Sequence, residues 1–238
     1  MSTNEKEYLL DRIADAGVKL NPAQADQLLE YFHMIEEKSK VMNLTTVTDF
    51  EGVVRTHFAD SLSIVRAVDM TKVKNAIDVG TGAGFPGIPI AIAFPEIQVT
   101  LLDSLNKRVV FLNEVIEKLQ LGNTSAIHAR AEEGARMKAY REKYDLAVSR
   151  AVSNLSTLTE YCLPYVNQKG IFVSYKSDQA EEEIKSAEKA IHVLGGVLEK
   201  TEVFRLNDTG RILAVIRKVR KTPELYPRKA GIPGKIPL

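Results

Sequence analysis

The sequence predicts an α/β fold. A mostly parallel sheet of seven strands is finished by an antiparallel C-terminal hairpin and preceded by an N-terminal helical region. Three observations predict it. Between Val73 and Gly196, short apolar runs alternate with segments of helical period. The first of these runs opens into a turn that carries Gly80, Gly82, Gly84 and Gly87. After Gly196 the alternation stops, and two strand-like runs follow with no room for a helix between them.

Taken in order, residues 5–16 form a helix with Leu9, Leu10, Ile13 and Ala14 on one face. Asn21-Pro22 starts the next, the asparagine as N-cap and the proline in the first turn. Helical period continues to about Val41, and Asn43-Leu-Thr-Thr46 stops it. Asp49 caps a further helix whose apolar face holds Val53, Val54, His57, Phe58, Leu62, Ile64 and Val65. Strands are predicted at 76–79, 97–102, 125–128, 144–149 and 170–175, and helices at 87–94, 107–119, 131–140, 155–166 and 181–194. The runs 197–206 and 212–218 are joined by Asn207-Asp-Thr-Gly210, which are turn residues, so they pair antiparallel. The expected organisation is a helical region over 1–68, a ligand-binding domain over 69–220 and a basic tail over 221–238.

The glycine turn is the centre of the chemistry. Ala76, Ile77 and Val79 suit a buried parallel strand. The glycines let the backbone take positive φ and let a ligand come close, and the helix that follows offers free N–H groups. Gly82-Ala-Gly84-Phe-Pro-Gly87 fits the dinucleotide pattern, with Asp103 placed as a ribose-binding acid. The stretch also reads Asp78-x-Gly80-x-Gly82-x-Gly84, with an acid in the strand end. A carboxylate there can accept a hydrogen bond from a cationic amine, which S-adenosylmethionine carries.

Hydrophobic content of 45% and charged content of 26% are those of an ordinary globular chain. The net charge of +1 hides an asymmetry. Residues 217–238 carry seven Lys or Arg against Glu224, a net +6, which leaves −5 on the remainder. A basic end on an acidic body points to a polyanion partner. Cys162 is the only cysteine and is read as a buried apolar residue, which excludes an internal disulfide framework. No secretory signal pattern is visible and the apolar run 88–94 is too short to cross a bilayer, so a cytoplasmic protein is expected. The histidines at 33, 57, 128 and 192 have no metal-like spacing.

With these elements placed, the chain resembles the class I S-adenosylmethionine-dependent methyltransferases, a Rossmann-like fold. It most resembles the bacterial ribosomal RNA small subunit methyltransferase G family, also called glucose-inhibited division protein B. The likeness covers nearly the whole chain. It rests on Asn43-Leu-Thr-Thr, His57-Phe-Ala-Asp-Ser-Leu62, Asp78-Val-Gly-Thr-Gly-Ala-Gly-Phe-Pro-Gly-Ile-Pro-Ile-Ala91, Asp103-Ser-Leu-Asn-Lys-Arg108, Arg130-Ala-Glu132, Ser149-Arg-Ala-Val152 and Tyr226-Pro-Arg-Lys-Ala-Gly-Ile-Pro-Gly-Lys235. The family usually has Trp-Asn ahead of the first motif, where this chain has Lys38-Ser39 and no tryptophan anywhere.

The resemblance implies S-adenosylmethionine as cofactor and methyl transfer to N7 of a guanine in small-subunit ribosomal RNA, or in the assembled subunit. It also implies that Gly80 and Phe85 lie by the methionine part of the cofactor, Ala131 and Glu132 border the adenine, and Arg150 faces the mouth of the site. Guanine N7 has a free lone pair, so no general base is assigned, and His57 and Asp60 stay open between a catalytic role and a pair that shapes the pocket wall. RNA phosphates are assigned to Arg211, Arg217, Lys218, Arg228 and Lys229, with Lys176 near the pocket. The Pro- and Gly-rich segment from Thr222 is expected to be extended or mobile and to order against RNA. A monomer is expected. The competing readings are a methyltransferase of another substrate, a nicotinamide-dependent oxidoreductase and a non-catalytic RNA-binding module.

Overall fold

The structure is a computed structural model and describes residues 3–150 and 153–238. Ala151 and Val152, which end the motif that begins at Ser149, lie outside the described residues. One sheet holds β1 (Asn75–Val79), β2 (Gln98–Asp103), β3 (Thr124–His128), β4 (Tyr144–Arg150), β5 (Val166–Ser177), β6 (Gly196–Leu206) and β7 (Thr209–Lys218). The strand order is β3-β2-β1-β4-β5-β7-β6. The first five strands pair in parallel, while β7 runs antiparallel between β5 and β6. The hairpin turns on Asn207 and Asp208, both at positive φ, a conformation these two side chains tolerate better than most. An antiparallel penultimate strand does not belong to the dinucleotide-binding double unit, so the oxidoreductase reading is not favoured.

Side chains alternate across the sheet and build two cores. Ala76, Leu101, Leu146, Val148 and Val173 face one layer. Ile77, Val79, Leu102, Ala147 and Phe172 face the other. The first layer is filled by the N-terminal helices α1 (Thr3–Asp15) and α2 (Pro22–Ser39) with residues 50–66. Leu9, Ile13, Leu28, Tyr31, Phe58 and Leu62 are all fully buried there. The helical region therefore shares a hydrophobic core with the sheet. Its helix α2 starts as the sequence indicates: Asn21 accepts from the Gln24 N–H at 2.9 Å, and the Gln24 side chain accepts from the Asn21 N–H at 2.9 Å.

Several helices differ from expectation. The segment that Asp49 caps is not one regular helix. It runs through α3 (Phe50–Val53), a wide π turn (Val54–Ala59), α4 (Asp60–Leu62) and a 3-10 turn (Ser63–Arg66). Beyond β1 come α5 (Gly87–Ala93), α6 (Asn106–Lys118), α7 (Ala131–Gly134) and α8 (Leu155–Cys162). Helix α7 stops after four residues, far short of 140. Helix α8 passes into a 3-10 turn at Leu163–Tyr165, where Pro164 has no N–H for the ladder. The stretch 181–194 is split into α9 (Glu181–Ser186) and α10 (Glu188–Val193).

The tail also corrects the sequence reading. Instead of extending, it is bound along α7 and α8, and it ends in the short α11 (Ile232–Lys235). Arg141 donates to the carbonyls of Thr222 and Tyr226, and Arg136 donates to that of Pro227. The Thr157 hydroxyl donates to the Pro233 carbonyl, and the Gly231 N–H donates to Glu132. Fully buried Glu160 pairs with Arg228 at 2.6 Å. The tail is held mainly through its backbone carbonyls, which composition does not reveal.

Candidate functional site

The carboxyl ends of β1 and β4 lie side by side where the strand order reverses, the position at which open α/β sheets bind ligands. After β1 the chain turns sharply, with Gly80, Gly82 and Gly84 at φ of 74°, 66° and 111°. The Gly80 and Thr81 N–H groups donate to the Leu102 carbonyl. From below, the Tyr31 hydroxyl donates to the Ala83 carbonyl at 2.6 Å. A Cβ on Gly84 would meet that hydroxyl at 2.5 Å, and one on Gly87 would collide with Leu101. A Cβ on Gly82 would meet nothing within 4 Å. Gly84 and Gly87 therefore serve packing, while Gly82 faces open space.

That space is a cavity of about 400 Å³. Gly80, Gly82, Phe85, Asp103 and Arg150 line it, all of them expected from the sequence. So do Thr45, Thr81, Ser104 and Arg108, to which the sequence reading gave no role. Asp103, nearly buried at the end of β2, accepts from the Gly82 N–H, the Leu105 N–H and Arg108. Its two oxygens offer about four acceptor sites, so one remains. Asp78 is fully buried. One oxygen accepts from the Thr81 hydroxyl at 2.6 Å and the Gly87 N–H at 2.8 Å, while the other has no partner. Burial pushes its carboxyl up to about 7. Asp78 does not line the cavity openly, as the sequence suggested. It braces the glycine loop from beneath and keeps one acceptor unused. A buried acceptor without a partner, a spare site on Asp103 and the open face of Gly82 suit a ligand carrying an amine and a ribose.

Phe85 joins an aromatic cluster with Tyr31, Phe58 and His57 at centroid distances of 5.5, 6.1 and 4.5 Å, with the Arg150 guanidinium 5.1 Å above its ring. Ala131 and Glu132 sit past the end of β3 at the same edge of the sheet, but outside the residues lining the cavity. The Glu132 carboxylate accepts from Gly231 at 2.7 Å. Its side chain therefore holds the tail.

A second cavity of about 500 Å³ adjoins the first, and His57 and Arg150 line both. Its other walls include Val47, Asp60, Tyr175, Lys176 and Arg211. Asp60, 4% exposed, joins two arginines: one oxygen accepts from Arg150 at 3.0 Å and the other from Arg211 Nε at 2.8 Å. Arg150 also donates to the Thr56 carbonyl and to His57 Nδ1. Because arginine is a donor only, His57 Nδ1 carries no proton, and Nε2–H donates to the Thr45 hydroxyl at 2.7 Å. Burial and the neighbouring Arg150 lower the imidazole to about 4. His57 is a neutral wall. The Cys162 thiol is buried and pushed up by burial, as its reading as a core residue requires. Among the described residues no group of His, Cys, Asp and Glu is placed to hold a metal, and no helix is long and apolar enough to cross a membrane.

The cations assigned to RNA do not form one patch. Lys176 and Arg211 stand at the site, with Lys176 paired to Glu183 at 2.6 Å. Arg217 lies at the opposite end of the sheet, paired with Glu199 beside a separate cavity of about 550 Å³. Lys218 is a correction. Its fully buried Nζ donates to the carbonyls of Leu163 and Val166 and to the Thr222 hydroxyl, so no phosphate reaches it. Arg228 is committed to Glu160. Lys229 is exposed. Strand alternation sends adjacent residues to opposite faces, which a count of charges along the chain ignores.

A family profile described as rRNA small subunit methyltransferase G matches residues 24–211. A ribosomal RNA small subunit methyltransferase G of Lachnoclostridium phytofermentans is 49% identical over 224 residues, 93% of each chain. That of Bacillus subtilis is 45% identical over 228 residues, 95% of each chain. Among solved structures, the mitomycin 7-O-methyltransferase superposes with a TM-score of 0.57 at 13% identity, over 79% of this chain and 60% of that one. That last likeness is one of fold alone.

Proposed function

Because this chain belongs to the rRNA small subunit methyltransferase G family, we propose that it transfers a methyl group from S-adenosylmethionine to N7 of a guanine in small-subunit ribosomal RNA. The observation that supports this most is the pair of cavities meeting at His57 and Arg150, one under the glycine loop and one beside Lys176 and Arg211.

In this reading the first cavity takes the cofactor. The free oxygen of Asp78 would receive the amine, and the spare acceptor of Asp103 the ribose hydroxyls. The open face of Gly82 and the rings of Phe85 and His57 would bound the rest. When bound, the cofactor supplies an electrophilic methyl on a sulfonium. The protein supplies position and dryness. No residue need take a proton, because N7 presents a lone pair. A neutral His57 keeps an extra cation away from the path along which positive charge moves. Asp60 fixes the Arg150 guanidinium that separates the two ligands. The RNA would approach from the second cavity, with Lys229 and other exposed tail cations meeting phosphates.

The test is transfer of label from methyl-tritiated S-adenosylmethionine into small-subunit particles and purified ribosomal RNA from cells lacking this gene. Label released as 7-methylguanine is expected. Label in neither substrate, with the cofactor still bound, would refute the RNA reading and leave the fold.

A further inference from the structure

We propose that Arg211 reads the target base, donating a hydrogen bond from its free guanidinium nitrogen to O6 of the guanine. The inference rests on the methyltransferase reading above and assigns a role within its second cavity. Arg211 stands at the start of β7, beside the carboxyl end of β5. Its Nε is bound to Asp60 at 2.8 Å and one terminal nitrogen donates to the Gly210 carbonyl. The other terminal nitrogen has no partner among the described residues, and the side chain lines the cavity. The guanidinium is thus held by its inner edge with one whole terminal nitrogen left to face a ligand.

Two features of the cavity favour a base over a phosphate. First, every cation around it already has a carboxylate partner, and three cations against two carboxylates leave a net of only +1. Arg150 and Arg211 share Asp60, and Lys176 pairs with Glu183. A carboxylate directly beside the available donor repels a phosphate, whereas a neutral purine edge tolerates it. Second, the cavity has apolar walls in Val47 and Tyr175, and it shares His57 and Arg150 with the cofactor cavity. Only the group that receives the methyl needs to touch that shared wall. The donor beside N7 on the guanine edge must meet O6, an acceptor. An adenine would offer an amino group there, donor against donor.

The test is a cycle of two changes in a methylation assay. The substrate is small-subunit RNA reassembled around a fragment bearing guanine or 2-aminopurine at the mapped target. 2-Aminopurine keeps N7 and lacks O6. Methylation of the unsubstituted RNA by the wild type is the control that tests the methyltransferase reading separately. For the wild type, removal of O6 is expected to lower kcat/KM. Arg211→Met should lower kcat/KM on guanine RNA about 10- to 100-fold, the range for a hydrogen bond to a charged donor, and barely change it on 2-aminopurine RNA. Using both substrates cancels the intrinsic difference in N7 reactivity. Equal losses on both, with the dependence of affinity on salt reduced by about one phosphate contact, would overturn the proposal in favour of a phosphate contact. Equal losses on both with the salt dependence unchanged would overturn it in favour of a purely structural role for Arg211. Cofactor affinity of Arg211→Met, measured by calorimetry, should stay at the wild-type value.

Discussion

Replacing Arg228 by methionine should destabilise the protein by about 2–4 kcal/mol. Arg228 meets a carboxylate that has no water. Glu160 is fully buried, and its oxygens accept from the Arg228 backbone N–H at 2.7 Å, from Nε at 3.0 and 3.1 Å and from Nη2 at 2.6 Å. Stripping one partner from a buried ion pair costs about 3–5 kcal/mol, because a charge is left without compensation. Here the backbone N–H survives the substitution, and the Arg228 side chain is 21% exposed, so water can enter as it leaves. Both facts lower the expected figure. Against a total stability of about 5–15 kcal/mol the variant stays folded. Urea unfolding of four proteins measures the effect: wild type, Arg228→Met, Glu160→Gln and the double variant. Glutamine keeps the volume and the acceptor for the backbone N–H without the charge. The double variant should recover at least about 1.5 kcal/mol of the single loss, a coupling that contacting residues show. A cost under 1 kcal/mol for Arg228→Met, or a double variant no better than it, would refute the reasoning and with it the docked tail.

The remaining predictions concern the site. Gly82→Ala places a methyl in open space at a φ of 66°; it should cost only about 1–2 kcal/mol yet weaken S-adenosylmethionine binding at least about tenfold. Gly87→Ala drives a methyl into Leu101 and should do the reverse, costing more than about 2 kcal/mol; calorimetry and urea unfolding of both variants check the ordering. Tyr31→Phe strands the Ala83 carbonyl and should cost about 1–3 kcal/mol, measurable in the same unfolding assay. The His57 imidazole is lowered to about 4, below its unfolded value of about 6.5. The folded state then binds fewer protons than the unfolded state between those values, so stability is present above pH 6.5 and drains away as pH falls toward 4. A His57→Gln variant should show a flatter stability profile across that window, and a His57 ring titrating near 6.5 by NMR would contradict the assignment.

Sheet and loop were legible because their signals are local. The apolar run to Val79 and the glycines after it fix a strand and a turn wherever they occur. Asn21 and Asp49 advertise their caps through their own side chains. What the sequence missed depends on partners far along the chain. The Tyr31 hydroxyl under Ala83, the Arg141 donors to the tail carbonyls and the Gly231 N–H on Glu132 join residues 52 to 99 positions apart. Lys218 reads as a surface cation by type, and only the register of β7 against β5 and β6 reveals that it points inward. Asp60 and His57 stand three residues apart, a spacing that puts both on one helical face. Their chemistry awaited Arg150 and Arg211, drawn from β4 and β7.

The two cavities differ in how evenly their charges are matched. Around the first, Arg108 and Arg150 stand against Asp103 and the buried Asp78. At the second, Arg150, Lys176 and Arg211 outnumber Asp60 and Glu183. In the proposed reaction a unit of positive charge leaves the donor with the methyl and arrives on the purine, among these cations. The methylated base is then worse matched to its seat than the neutral base that entered it. Release of the modified RNA is thereby favoured by the same excess of cations that frames its approach.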